Sequence, residues 1–71
     1  MEYINKRGNK VVIEGYYREY PGGKPYDTYA ICELVCGQLR RRSGHGPYKY
    51  VEAELARRAK RYGWKQVKTN G

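Results

Sequence analysis

The chain has no phenylalanine, one histidine, two cysteines and seven carboxylates among its 71 residues. Each scarcity removes a class of function. The carboxylates are scattered and form no acid–base pair, and no serine or cysteine sits in a nucleophile motif. Ser43-Gly44-His45-Gly46 is glycine-rich but lacks the lysine and hydroxyl of a phosphate-binding loop. His45, between two glycines, reads as an exposed loop residue. Cys32 and Cys36 stand four apart, a spacing at which two sulfurs on a helix or strand do not meet comfortably. With His45 they fall short of the roughly four ligands that zinc takes, without a carboxylate or a second chain. They read instead as two small buried hydrophobes with free thiols. No catalytic residue, metal or cofactor is expected, and the chain reads as a binding protein rather than an enzyme.

Long apolar runs are also missing. Nothing approaches the ~20 residues needed to cross a bilayer, and no signal-peptide core is present. No membrane partner is expected, and free thiols fit a reducing cytoplasm. The length leaves room for one domain, 1–71, and a chain of this size buries only about 60% of its unfolded surface.

What is abundant is positive charge and tyrosine. Fifteen lysines and arginines against seven acids give a net charge of +8. Residues 1–39 hold five cations and five anions, whereas residues 40–71 hold ten cations against Glu52 and Glu54 alone. The whole excess therefore lies in the second part, which points to a directional electrostatic surface. Nine tyrosines with no phenylalanine form the second skew. A core wanting only aromatic bulk would use phenylalanine, which needs no hydroxyl partner. Such tyrosines serve either as core and cover for a small sheet or as a recognition surface.

Local pattern places these residues on elements. Residues 2–6 read as a short strand ending at the turn chemistry of Arg7-Gly8-Asn9. Lys10 to Tyr20, rich in β-branched and aromatic residues, reads as a strand, with Gly15 marking a bulge or a close backbone approach. Pro21 to Pro25 is a loop. Residues 27–42 admit two readings. A stripe of Ile31, Leu34, Val35 and Leu39 suits a helix capped by Asp27, but Thr28, Tyr29, Ile31, Cys32, Val35, Cys36 and Gly37 are mediocre or poor helix formers. A strand from Tyr26 to Cys36, returning along the preceding one, is favoured. Residues 38–46 read as a loop with a short strand at its start. Residues 47–62 form the best helix, with Pro47 at its start, Gly63 as C-terminal cap, and an apolar stripe of Tyr48, Val51, Leu55, Ala59 and Tyr62. Ala53 and Ala56 are expected to permit close packing. Residues 64–68 alternate as a short edge strand.

The fold expected is α+β: a small antiparallel sheet of two to three strands packed by one C-terminal amphipathic helix. The alternative is two strands plus two helices. In outline, a short sheet followed by a helix resembles the three-strand-plus-helix DNA-binding domains of phage integrase arms and AP2-type factors. Gly46-Pro47-Tyr48-Lys49, leading into a helix with Ala53, Ala56 and Ala59, is similar to the loop and last helix of double-stranded-RNA-binding domains. That likeness covers about half the chain and carries over no site residue.

The function expected is small, non-enzymatic nucleic-acid binding, to DNA or RNA, as in a phage or mobile-element accessory factor. Arg40, Arg41, Arg42, Arg57, Arg58, Arg61 and Lys65 are the phosphate-contact candidates, because arginine forks pair bidentately with phosphate oxygens. Tyr16, Tyr17, Tyr20, Tyr26 and Tyr29 are the candidates for stacking or for an interface. The second reading is a protein-binding modulator that docks a tyrosine-rich hairpin on an acidic protein surface.

Overall fold

The computed structural model describes residues 1–18 and 26–67, with the side chains of 17, 18, 26 and 27 left out. Five strands and one helix follow in the order β1 (Glu2–Ile4), β2 (Lys10–Arg18), β3 (Tyr26–Val35), β4 (Gln38–Arg41), α1 (Tyr48–Tyr62) and β5 (Lys65–Val67). The strands make one sheet, ordered β4-β3-β2-β1-β5, with every neighbouring pair antiparallel. The α+β class is as expected. The count of two to three strands is too low, because β1, β4 and β5 all join the ladder. Five strands also depart from the three-strand outline.

Residues 27–42 contain no helix. The β-branched and aromatic residues of β3 pair with β2 in a long hairpin, from Val11 opposite Glu33 to Arg18 opposite Tyr26. A two-residue turn, Cys36 (φ 50°) and Gly37 (φ 79°), then reverses the chain between the paired Val35 and Gln38. Left-handed conformations at both central positions match the right-handed twist of the flanking strands. Cys36 is exposed rather than buried, and only Cys32 packs inside.

The sheet's pleat decides which residues meet the helix. Tyr3, Val11 and Ile31 lie on one face and pack with Val51, Leu55 and Ala59 of α1; Ile13, Tyr29 and Trp64 are packed against them. Ala30, Cys32 and Val12, at the alternate positions, therefore lie on the far face. Gly15 is a close-approach position: a Cβ there would stand 3.1 Å from the ring of Tyr29. In α1 the stripe is buried only at Val51, Leu55 and Ala59; Tyr48 and Tyr62 are exposed. Ala53 and Ala56 are exposed too, so Ala59 alone of the three provides the close contact. Pro47 is the N-cap, and left-handed Gly63 closes the other end with its N–H on the Ala59 carbonyl.

Candidate functional site

The β1–β2 turn is built by one side chain. The Asn5 carbonyl oxygen Oδ1 accepts the backbone N–H groups of Arg7 (3.1 Å) and Asn9 (3.0 Å). Gly8, at φ 81°, completes the reversal. The turn presents Lys6 and Arg7 to solvent at the end of the sheet where α1 terminates; Lys6 Nζ lies 3.4 Å from the Cβ position of Gly63.

Beneath this turn lies Glu33, the one buried carboxylate among the described residues. Its Oε2 accepts from Asn5 Nδ2 at 2.7 Å and Asn9 Nδ2 at 2.9 Å. Its Oε1 accepts from Arg42 Nε at 3.0 Å, with Arg7 Nη1 at 3.8 Å. The Asn9 and Asn5 hydrogen bonds, then Arg42 and the Arg7 charge, outweigh burial and hold its carboxyl at about 2. One anion thus anchors the Arg42 guanidinium and the turn, with the exposed Arg7 charge nearby; among the described residues most of the guanidinium N–H donors stay unused.

The helix contributes the opposite wall. Glu54 accepts from Arg57 Nε (3.2 Å) and Arg58 Nε (3.0 Å), and these bonds pull its carboxyl below the ordinary range. Arg58 Nη1 also donates to the Arg42 carbonyl at 3.0 Å, which ties α1 to the segment after β4. Arg61 makes no ion pair or hydrogen bond among the described residues, and neither does Lys6.

Together these groups border a cleft of about 600 Å³ between the second half of α1 and the β1–β2 turn. Lys6, Arg7, Arg42, Arg58 and Arg61 line it, against Glu33 and Glu54. Tyr62 and Trp64 form one side of the cleft, their ring centres 5.7 Å apart and their planes tilted by 31°.

The seven candidate phosphate contacts do not share one surface. Consecutive residues on an extended strand point to opposite faces. Arg40 is opposite Glu33 and so stands on the helix side, whereas Arg41 is opposite Cys32 and points to the far face. Arg42 returns to the helix side, its N–H on the Ile31 carbonyl at 2.8 Å. Lys65, opposite Ile4 on the other edge strand, also points to the far face. Arg57 does not line this cleft but borders an adjoining groove with Glu54, Arg58, Lys60 and Arg61, and Arg40 lines neither. Three of the seven therefore converge: Arg42, Arg58 and Arg61.

Of the tyrosine candidates, Tyr16 is half-buried on the far face and Tyr29 is half-buried on the helix side. Tyr16 shares a hydrogen bond with the Cys32 thiol at 3.4 Å and meets the His45 ring edge-on at 4.7 Å. That bond, with burial, raises its hydroxyl above the ordinary value. Tyr29 packs edge-on against Tyr48 at 5.1 Å. Tyr29 thus packs against the core, while Tyr16 covers part of the far face. Tyr20 lies outside the described residues, as do the side chains of Tyr17 and Tyr26.

Sequence pattern does not mark Lys6, Arg7, Glu33, Tyr62 or Trp64 as site residues; Tyr62 falls there in the helix's apolar stripe. Glu33 carried a signal, a lone carboxylate inside the apolar run Ala30-Ile31-Cys32-Glu33-Leu34-Val35. A charge at such a position has to be paired. Lys6 and Arg7 sit in a segment of zero net charge, so only the fold reveals their membership.

No protein-family model matches the chain, and neither a curated protein nor a solved structure matches it.

Proposed function

We propose that this protein binds nucleic acid non-enzymatically, holding the phosphate backbone in the cleft between α1 and the β1–β2 turn. The observation that carries the reading is convergence. Lys6 and Arg7 from a turn, Arg42 from the segment after β4, and Arg58 and Arg61 from the helix border one cleft that holds only two carboxylates. Arginine is suited to this role because its planar fork matches phosphate oxygens and its charge is independent of physiological pH. Glu33 fixes Arg42 and Glu54 fixes Arg58 in advance, so less side-chain entropy is lost when a phosphate arrives.

Fluorescence anisotropy with labelled oligonucleotides at low salt tests this. Dissociation constants in the micromolar range are expected, typical of backbone-dominated binding at about 10⁻⁴–10⁻⁶ M. Arg61→Glu, which breaks no ion pair among the described residues, is expected to weaken binding on the order of ten-fold. Affinities no better than millimolar for both DNA and RNA sink the reading.

A further inference from the structure

We infer that the cleft selects single-stranded nucleic acid, with an unpaired base stacking on Tyr62 beside Trp64 while the flanking phosphates lie on the arginines. The inference rests on the reading of the cleft as a backbone site and adds to it what the aromatic side of the cleft recognises.

Two observations carry it. The first is the exposure of Tyr62. It occupies the last turn of α1 and lies within the sequence's apolar stripe, yet it remains 52% exposed while Val51, Leu55 and Ala59 are buried. A large ring left open at the rim of a cationic cleft is a platform rather than a core residue. The second is the support behind it. Trp64 packs on the core cluster, its backbone N–H bonded to the Ala59 carbonyl at 2.9 Å, and its ring lies 5.7 Å from that of Tyr62, tilted by 31°. A base placed on the open ring adds to a tilted aromatic pair already held by the fold.

The chemistry of the partner follows from this pairing. Flat rings stack on any unpaired base, and the cations beside them track the backbone; the combination is the general device of single-strand binders. In a duplex the base faces are already stacked on one another and cannot reach a protein ring without unstacking, which costs a few kcal/mol per step. Arg61 lies one position before Tyr62 and lines the same cleft, so a phosphate contact and a stacked base are offered by adjacent residues.

The chain has a single tryptophan, so Trp64 emission reports directly on this site. The full chain is titrated at low salt with oligodeoxythymidine and with oligouridine, each of about twelve nucleotides. A blunt DNA duplex of equal length and polyglutamate form the comparison arms. Expected are quenching of Trp64 by the single strands, tighter binding of single strand than duplex, and an affinity loss of about ten-fold for single strands in Tyr62→Ala. Duplex affinity stays unchanged in that variant, and Tyr62→Phe, which keeps the ring, binds like the parent. Stronger binding of the thymidine or the uridine strand identifies the source as DNA or RNA and supports the inference either way. Equal binding of duplex and single strand, with Trp64 emission unmoved, overturns the stacking inference while the backbone reading stands. Polyglutamate binding as tightly as the oligonucleotides overturns both in favour of an acidic protein partner. Should Tyr62→Ala fail to fold by circular dichroism, the quenching and the strand preference of the parent chain still decide the matter.

Discussion

Glu33 shows how much one side chain can organise. Buried charge is costly unless it is paired and hydrogen-bonded. Here Asn5, Asn9, Arg42 and Arg7 supply that pairing from two other parts of the chain. Its carboxyl, lowered from 4.5 to about 2, makes stability depend on acid. A carboxyl with a depressed folded-state value contributes stability above its unfolded value and loses it as pH falls through the folded one. The contribution is therefore complete above about pH 5 and is lost between about pH 4.5 and pH 2, amounting to as much as about 3 kcal/mol. Thermal melts across that window should show the melting temperature falling steeply in the parent chain. In Glu33→Gln it should start lower at pH 7 and vary less between pH 5 and pH 2. An unchanged slope would mean that another carboxylate governs the acid limb.

At the scale of elements, the β3–β4 hairpin is the informative case. Its turn places Cys36, a residue with a Cβ, in the left-handed region at φ 50°. Asparagine tolerates that conformation better, and Asn-Gly is the preferred pair for such a turn. Cys36→Asn should therefore stabilise the chain by about 0.5–1 kcal/mol, raising the melting temperature by roughly 2–8 °C. Cys36 is exposed and makes no hydrogen bond among the described residues, so little is lost in the exchange. A lower melting temperature in the variant would refute this account of the turn. The opposite end of α1 shows the same logic already satisfied, since Gly63 takes φ 69° without a Cβ.

Across the whole molecule the charge is divided by the sheet. Arg42, Arg58 and Arg61 share the cleft with Lys6 and Arg7, while Arg41 and Lys65 point to the far face. Binding through one side makes a quantitative statement about salt. Three to five phosphate contacts to a single strand give a slope of log affinity against log salt of about −2 to −4. Engagement of all seven arginines and lysines first singled out, on a duplex, would give about −6. At about 0.15 M salt, where exposed charges more than ~8 Å apart are largely screened, Lys65→Glu should stay within about two-fold of the parent, because Lys65 points to the far face. A loss in Lys65→Glu equal to that in Arg61→Glu would move the binding surface to the far face. Among the described residues no helix is long and apolar enough to cross a membrane.

The sequence by itself determined the α+β class and the helix with its glycine stop, and it favoured, without deciding, the hairpin of β2 and β3. These are local matters: β-branched and aromatic residues favour a pleated ladder, and a stripe at helical spacing with a left-handed closing residue favours a helix. Gly15, a strand residue without a side chain, was legible as a bulge or a close approach, and the ring of Tyr29 decides for the second. It also located the excess charge in residues 40–71. What only the tertiary structure decided was which charges act together. The run Arg40-Arg41-Arg42 looks like one patch in the sequence, but strand alternation sends its members to two faces. Lys6 and Arg7, in a segment with no net charge, join the cleft because antiparallel pairing brings the β1–β2 turn beside Glu33 and the end of α1. Periodicity reports which residues share an element's face; it carries no information about which faces the fold brings together.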